Sequence, residues 1–243
     1  MSIREDGAVT GQQRRDDISA ALIQVRGRID AAVRAAGRSD EVQLIVVTKT
    51  FPASDVLVLA ELGVSHVAEN RDQEARAKQA EVGGGHGLRW HMIGQLQRNK
   101  AASVGRWADV VESVDRAELI APLSRAADEH DRRLDVLIQV ALDPVFRPER
   151  GGADPAGVLA LADQFAGHPA LTLRGVMGVA PWPGDVDDAF ERLRVVSQQL
   201  QTHHPAATIV SAGMSGDLEQ AIAHGATQVR IGGAILGTRA AVQ

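Results

Sequence analysis

The run Val42-Gln43-Leu44-Ile45-Val46-Val47-Thr48-Lys49 begins a strand-and-helix pattern that continues through the chain. Its density of Val, Ile and Leu is typical of a strand that is buried on both faces, as in parallel sheets. Lys49 closes the run and places a primary amine at the C-terminal end of the strand, where α/β folds build their active sites. A partly desolvated amine there can lose its proton and condense with an aldehyde. The alternative is a snorkelling lysine, whose stem covers the strand end while its head stays in water.

The rest of the chain alternates strand-like and helix-like segments. Apolar strand-like runs lie at 42–48, 64–68, 89–94, 108–113, 134–141, 171–179, 207–211 and 227–231. Amphipathic helical stretches lie near 53–62, 70–80, 97–104, 115–130, 154–167, 186–202 and 215–224, and a last one follows Gly232. Strands that alternate with helices predict parallel βαβ units. Eight such units favour a single closed (β/α)8 TIM-type barrel of the α/β class, with an open doubly wound sheet as the alternative.

An extra N-terminal helix is predicted ahead of the barrel. Apolar side chains recur at helical spacing between residues 12 and 36, namely Ile18, Leu22, Val25, Ile29 and Val33. Residues 1–9 are expected to be a frayed, disordered terminus. No linker marks a second domain, so residues 1–243 are predicted to form one domain. The glycine-rich segments 83–87 and 143–152 are predicted to be flexible loops, and the second is placed either to cover an active site or to be a plain surface loop.

Composition excludes several classes of function. The formal net charge of -5, from 26 basic and 31 acidic residues, argues against a dedicated nucleic-acid binder. The chain has no cysteine, which excludes disulfides, thiolate metal sites and cysteine nucleophiles. No histidine pair has the spacing of metal ligands, so no metal site is predicted. The chain shows no signal-peptide region and no apolar stretch of membrane-spanning length, so we expect a soluble cytoplasmic protein.

Small residues follow the last two predicted strands. Ser215 comes shortly after the seventh strand, and Gly232 and Gly233 follow the eighth. Glycines let the backbone approach a ligand closely, and N–H groups that open a helix bind a dianion well. In barrels, the loops after strands seven and eight form the commonest phosphate site. These residues therefore predict a phosphate site, and the alternative is two ordinary turns with Ser215 as a helix cap.

Arg230 lies inside the last predicted strand between two apolar residues, so it faces the barrel mouth or a buried partner. A guanidinium stays protonated and cannot accept a hydrogen bond, so beside a pyridine nitrogen it would keep that nitrogen unprotonated. Such a contact suits a site that holds a pyridoxal ring without making it a strong electron sink. The alternative is a structural ion pair with Glu69 or Glu112. We expect His91, in the third strand, to be a structural residue rather than a base.

Seven ordered segments carry a family resemblance: 46–49, 68–74, 90–100, 112–116, 175–178, 213–219 and 229–232. The two most specific are Trp90-His91-Met92-Ile93-Gly94-Gln95-Leu96-Gln97-Arg98-Asn99-Lys100 and Gly213-Met214-Ser215-Gly216-Asp217-Leu218-Glu219 with the later Val229-Arg230-Ile231-Gly232. Together they resemble the pyridoxal phosphate homeostasis proteins, the YggS/PROSC family, whose fold is that of the alanine racemase N-terminal barrel. The matches run from about residue 12 to residue 239, which is nearly the whole chain.

The resemblance implies a role for each candidate residue. Lys49 would form the internal aldimine (a Schiff base) with pyridoxal 5′-phosphate (PLP). The phosphate of PLP would be held by Ser215, Gly232 and Gly233. Arg230 would lie by the pyridine nitrogen, and Asn70 and Met214 would line the pocket. Two residues depart from the family pattern. Arg71 stands where an aromatic residue is usual, and Gly233 stands where threonine is frequent, which removes one hydroxyl donor to the phosphate.

The absence of tyrosine separates a carrier from an enzyme. Alanine racemases of this fold use a tyrosine from an additional β domain as a second acid/base, and this chain ends just after the eighth unit. We therefore expect a monomeric, non-catalytic protein that binds and buffers PLP and delivers it to apo-enzymes. One alternative is a PLP-dependent racemase or lyase, with Lys49 alone or with His91 or Ser113 as the second group. The other is a barrel that binds a different phosphorylated metabolite without a Schiff base.

Overall fold

Helices and strands alternate through the computed structural model, which describes residues 3–146 and 151–237. The strands are β1 Gln43–Val47, β2 His66–Glu69, β3 Arg89–Met92, β4 Val110–Val114, β5 Leu134–Val140, β6 Leu171–Gly178, β7 Ile209–Ser211 and β8 Gln228–Ile231. The α-helices are α1 Ile3–Ala35, α2 Ala53–Glu61, α3 Asp72–Val82, α4 Arg98–Val104, α5 Ile120–Glu129, α6 Val158–Asp163, α7 Val186–His203, α8 Leu218–Ala223 and α9 Gly233–Leu236. Short 3-10 turns occupy Ala117–Leu119, Pro155–Gly157 and Gln164–Gly167.

The eight strands form a closed barrel in chain order, and every neighbouring pair is parallel. Closure occurs where β8 pairs with β1, with Ile45 opposite Arg230. The predicted (β/α)8 barrel is therefore confirmed, and the open doubly wound sheet is wrong. In a parallel barrel all strand C-termini lie at one end, so the loops that follow the strands share one mouth.

The apolar residues form two layers. Outward-facing strand residues such as Val46 and Val67 pack with the helices in one large core. Inside the barrel, Ile45, Val47 and Ala68 form a second, smaller cluster. This division follows from strand geometry, since successive side chains point to opposite faces.

The extra helix α1 packs outside the junction between the first and last repeats. Its buried face includes Ile18, Leu22, Val25 and Ile29, none more than 4% exposed. Burial of such a side chain stabilises the fold by roughly 1.5–3 kcal/mol, which explains why the helix is held against the barrel. The helix begins at Ile3, earlier than predicted, and the expected disorder of residues 1–9 stays a prediction.

Candidate functional site

The amine of Lys49 lies at the C-terminal mouth of the barrel. Val47 points into the barrel, and Lys49 lies two residues further on, so the alternation of the strand brings it to the inner rim. Its side chain is exposed, and within residues 3–146 and 151–237 it makes no hydrogen bond or ion pair. Exposure is expected both of a reactive lysine and of a snorkelling one, so the surroundings decide between them.

Lysine is scarce in this chain. There are three lysines, and all of them lie in the described ranges. Lys78 is only 6% exposed and its amine lies 2.5 Å from Glu69 Oε1. Lys100 is exposed on α4, on the outside of the barrel. Lys49 is thus the only one of the three that continues an inward-facing position of a barrel strand.

A buried ion pair fixes the two strand ends next to the mouth. Glu69 Oε1 accepts hydrogen bonds from Lys78 Nζ and from Thr48 Oγ1, at 2.5 and 2.6 Å. Lys78 Nζ also donates to the carbonyl of Thr48 at 2.7 Å. Burial raises the pKa of Glu69, and the bonds from Lys78 and Thr48 oppose that rise. Lys49 and Asn70 directly follow Thr48 and Glu69, so this cluster fixes the backbone from which both side chains project.

Asn70 stands beside Lys49 on the neighbouring strand. Val47 pairs with Ala68, and Lys49 and Asn70 each lie two positions further along the chain, just past the ends of β1 and β2. A Cβ atom added to Gly94, in the loop after β3, would lie 2.0 Å from the Asn70 carbonyl oxygen. Only glycine allows this close approach, so the loop after β3 supports the position of Asn70.

The loop after β8 lies directly against the strand that carries Lys49. A Cβ atom added to Gly232 would lie 3.0 Å from the Val47 carbonyl oxygen. Gly233 opens α9, and a Cβ atom there would meet nothing within 4 Å. Backbone N–H groups in the first turn of a helix have no acceptor inside the helix. The two glycines therefore provide open backbone donors next to the mouth.

Met214 and Ser215 occupy a tight turn after β7. Gly213 precedes them with a φ of 93°, a conformation that favours glycine. The N–H of Met214 donates to Asp217 Oδ1 at 2.5 Å, and the side chain of Met214 is 40% exposed. The carbonyl of Ser215 accepts from Arg28 of α1 at 3.1 Å. Because α8 begins at Leu218 with Asp217 in the cap position, the alternative that Ser215 caps this helix is wrong.

Arg230 is buried inside the barrel, at 4% exposure. Its Nη1 donates to Ser211 Oγ at 2.7 Å, and its Nη2 donates to the carbonyl of Gly178 at 2.9 Å. Nη1 also lies 3.8 Å from Glu112 Oε2. The alternative of a structural ion pair is therefore confirmed for Glu112, and it is wrong for Glu69, which pairs with Lys78 outside the barrel. The ion pair leaves other donors of the guanidinium available, so it does not exclude a ligand contact.

Glu112 joins Arg230 to two histidines. The carboxylate is fully buried and accepts from His91 Nδ1 and from Ser211 Oγ, each at 2.6 Å. His91 Nε2 lies 2.8 Å from Nδ1 of His66, which begins β2 at the other end of the barrel. We call His66, His91, Glu112, Ser211 and Arg230 the polar column. Both ring nitrogens of His91 are engaged in it, which confirms His91 as a structural residue.

Electrostatics within the polar column favours charged Glu112. Burial alone would raise the pKa of Glu112, but the hydrogen bonds and charges of His91, Arg230 and Ser211 hold it below its ordinary value. Burial lowers the pKa of Arg230 against the opposing charge of Glu112, and a guanidinium remains protonated at neutral pH. Burial and the neighbouring His91 lower the pKa of His66 to about 4.

The two predicted loops have different surroundings. Residues 147–150 of the segment 143–152 lie outside the described residues. At its end, Gly152 N–H donates to Asp115 Oδ2 at 3.2 Å, beside a cleft of about 540 Å³ that Phe146 also lines. Two larger clefts each have a volume of about 640 Å³. One lies beside segment 83–87, and the other lies between α1, the start of β1 and the loop before β2. Lys49 lines neither of them.

Exposed apolar side chains gather around the mouth. Seven large apolar side chains are exposed among the described residues, and five of them follow β5, β6 or β7. They are Val145, Phe146, Val179, Trp182 and Met214, and Trp182 is 85% exposed. We call these five residues the apolar rim, and all of them follow strands at the C-terminal end of the barrel.

The described residues show neither a metal centre nor a membrane-spanning helix. In the described ranges, no group of three or more His, Cys, Asp or Glu side chains is arranged to hold a metal ion. None of the helices described is both long and apolar enough to cross a bilayer.

Comparison with known proteins gives consistent matches over most of the chain. The profile of the family described as alanine racemase, N-terminal domain, matches residues 22–240. The pyridoxal phosphate homeostasis protein of Mycobacterium tuberculosis is 43% identical over 245 residues, covering 93% of this chain and 94% of that protein. The protein of the same name from Escherichia coli is 36% identical over 230 residues, covering 92% and 97%.

A solved structure supports the same assignment. PipY of Synechococcus elongatus, solved with PLP bound, is 34% identical and superposes with a TM-score of 0.79 over 90% of this chain and 100% of that one. Identity at this level over nearly the full length goes beyond a shared fold. The chain therefore belongs to the family of pyridoxal phosphate homeostasis proteins, within the larger alanine racemase N-terminal domain family.

Proposed function

We propose that this chain binds PLP at the barrel mouth, holds it covalently through Lys49, and serves PLP homeostasis by buffering and delivering the cofactor without racemase activity. The observation that carries the proposal is the position of Lys49. Of the three lysines it is the one that continues an inward-facing strand position, it has no partner among the described residues, and Asn70 and Gly232 follow the two neighbouring strands. The family name and the PLP-bound structure of PipY agree with this reading.

The chemistry asked of Lys49 is a single condensation. Its unprotonated Nζ attacks the aldehyde carbon, a carbon–nitrogen double bond forms, and the aldehyde oxygen leaves as water. Of the other two lysines, Lys78 is committed to Glu69 and Lys100 is on the outside of the barrel. The reaction therefore has one suitable amine.

The residues around the mouth fit the remaining parts of the cofactor. The first-turn N–H groups of α9, with Gly233 at its start and open space around it, suit a phosphate dianion, and the hydroxyl of Ser215 on the adjacent loop is a further donor. Arg230 supplies a permanent N–H donor inside the barrel for the pyridine nitrogen. Asn70 and the exposed side chain of Met214 are placed to border the ring.

The same surroundings favour a carrier over an enzyme. Arg230 can only donate to a pyridine nitrogen, so the ring would remain a weak electron sink. The two candidate second bases are not at the mouth. His91 is 1% exposed with both ring nitrogens engaged, and Ser113 is fully buried with no hydrogen-bond partner for its hydroxyl.

The decisive experiment uses the scarcity of lysine. The purified chain is loaded with PLP, reduced with borohydride, weighed intact and mapped by peptide. We expect one adduct on Lys49, loss of the adduct in Lys49→Ala, and full labelling of the control Lys100→Ala. Lys49→Ala should still bind PLP weakly through the phosphate donors. An adduct on Lys78 or Lys100 would sink the proposal, and phosphate-dependent binding without any adduct would favour a different phosphorylated ligand.

Arg230→Ala tests the ring contact. We expect faster loss of the cofactor while the adduct on Lys49 still forms. If the adduct failed to form in a folded variant, the proposed role of Arg230 would be wrong. Assays across D- and L-amino acids test the absence of catalysis, because sustained racemisation or elimination that depends on Lys49 would contradict a pure carrier.

Delivery to apo-enzymes is supported by the apolar rim, which borders the mouth on the side of β5, β6 and β7. Exposed apolar side chains of this kind can serve as a contact surface for another protein. Transfer to a PLP-dependent apo-enzyme should be slower for Trp182→Ala than for the control Val195→Ala, whose exposed side chain lies on α7. PLP retention by both variants should equal that of the wild type. Equal transfer rates would refute protein-to-protein delivery at this surface.

The expected monomer of 25.8 kDa and cytoplasmic location stay predictions, to be checked by light scattering and cell fractionation.

A further inference from the structure

We propose that Glu112 is a positioning residue of the cofactor site, which holds the Arg230 guanidinium in place through Ser211 and is itself held by His91 and His66. The proposal rests on the proposed function, because it assigns a task to the side chains beneath the same site. Arg230 is a candidate site residue predicted from the sequence, whereas Glu112, Ser211 and His66 are not among those candidates.

The polar column is continuous. Four successive contacts of 2.8, 2.6, 2.6 and 2.7 Å run from His66 through His91, Glu112 and Ser211 to Arg230. A carboxylate can only accept, so His91 Nδ1 and Ser211 Oγ donate to it. Every oxygen of Glu112 is thereby engaged, and the side chain has a single defined orientation.

Stability does not account for this arrangement. Charged groups lose their hydration when they are buried, and buried ion pairs are often no better for stability than apolar side chains of the same volume. The same barrel interior elsewhere uses such side chains, in Ile45, Val47 and Ala68. A carboxylate at 0% exposure and a guanidinium at 4% therefore call for a role other than filling the barrel.

The role indicated by the geometry is orientation of Arg230. Its guanidinium is anchored on β7 through Ser211 and on β6 through the carbonyl of Gly178. Glu112, 3.8 Å away, supplies the opposite charge that keeps the guanidinium from turning out toward water. A cation fixed in this way presents its remaining N–H donors in one direction, toward a ligand above it.

Glu112→Gln tests the proposal, because it keeps the shape of the side chain and removes its charge. The matched control is Asp72→Asn, which neutralises a buried carboxylate between α3 and α4 that accepts from Ser103 and Trp107. Without cofactor, the readout is the Arg230 side-chain N–H signal in NMR spectra, which should be sharp in the wild type and broadened in Glu112→Gln alone. With PLP, Glu112→Gln should shift the absorption maximum and release the cofactor roughly tenfold faster, by analogy with the lower end of the effect that loss of a supporting partner has at metal sites.

The outcomes distinguish a failure of the proposed PLP-binding function from a failure of the positioning role of Glu112. If wild-type protein forms no PLP adduct, the proposed function fails, while the cofactor-free NMR comparison still reports whether Glu112 positions Arg230. If the adduct forms but Glu112→Gln matches Asp72→Asn in NMR signal, absorption and release, the positioning role is overturned. Should Glu112→Gln fail to fold, Ser211→Ala gives the same test, with a smaller expected change because Glu112 keeps its charge. Glu112→Asp keeps the charge, so its absorption maximum and release rate should lie closer to the wild type than those of Glu112→Gln. If the two variants were equally impaired, a charge-based role would also be contradicted.

Discussion

Gly233→Thr probes the phosphate end of the site by adding a hydroxyl where the family frequently has one. A Cβ atom at this position meets nothing within 4 Å, and Gly233 is not among the glycines with positive φ. A threonine therefore fits the backbone and the space without displacing a neighbour. Its hydroxyl would lie in the first turn of α9, next to the open N–H groups.

Two separate magnitudes follow for this variant. A hydrogen bond to a charged group contributes about 1.5–3 kcal/mol, and fixing the side chain costs roughly 0.5–1 kcal/mol. The difference of about 0.5–2.5 kcal/mol corresponds to roughly 2- to 60-fold slower release of the cofactor. Independently, replacing glycine restricts the unfolded chain and stabilises the fold by about 0.4–1 kcal/mol. For a chain of this length, that raises the Tm by about 1–4 °C.

The assay measures release of PLP into a carbonyl scavenger and thermal unfolding of the cofactor-free protein. Gly233→Ala is the control, because it gains the folding contribution without the hydroxyl. We expect both variants to unfold at a higher temperature and only Gly233→Thr to retain PLP longer. If Gly233→Thr releases PLP as fast as Gly233→Ala, or faster, then Gly233 does not contact the phosphate and this part of the site is misplaced.

Three further predictions concern the supports of the site. Gly94→Ala should unfold at a clearly lower temperature or fail to fold, because its Cβ would lie 2.0 Å from the carbonyl of Asn70; a stable variant that still binds PLP would contradict the described loop. Lys78→Met should lower the free energy of unfolding by about 3–5 kcal/mol, since it leaves the Glu69 carboxylate buried without its partner. The double variant Lys78→Met with Glu69→Gln should regain most of the lost free energy of unfolding, as measured by denaturant titration. If it regained none, the pairing of Lys78 with Glu69 would be refuted. The His66 pKa is lowered to about 4 by burial, while an unfolded histidine titrates near 6.5, so the unfolded chain binds this proton first. The free energy of unfolding should therefore fall by about 1–2 kcal/mol as the pH drops from 6.5 to 4, after allowance for partial exposure, and His66→Gln should remove that fall.

The barrel was predictable because its signals are local. The dense apolar run before Lys49, and its counterparts along the chain, predict strands that the structure places within about two residues of their expected bounds. Glycine and serine after the last two strands predict loops at one mouth, since parallel strands end together. The exact starts of the helices could be predicted less well. Ser215, for example, was a candidate cap of α8, but it lies in the turn before that helix and Asp217 takes the cap position.

The polar column could not be predicted from local pattern. Ser211 and Glu112 are 99 residues apart, and they meet because the strands that carry them close into one barrel. Strand alternation alone could have indicated that His91 and Arg230 point inward, since their neighbours in sequence are apolar and point outward. The signal is weaker for Glu112, which has Val111 on one side and the polar Ser113 on the other. Glu112 was one of the two partners considered for Arg230, but nothing in the sequence indicated that His91 and Ser211 also bind Glu112. Lys78 was equally inaccessible, because a lysine in an amphipathic helix is ordinarily exposed.

The helix α1, which lies outside the eight repeats, contacts both sides of the junction at which the barrel closes. Its Arg14 binds Asp55 in α2, shortly after Lys49, and also the carbonyl of Leu236, at the end of the helix that Gly233 opens. Its Arg28 holds the carbonyl of Ser215. One helix therefore joins the three units that carry Lys49, Ser215 and Gly233, and it does so from outside the barrel. We expect a change at Arg14 or Arg28 to loosen the junction at which the barrel closes, although neither residue lies in the barrel.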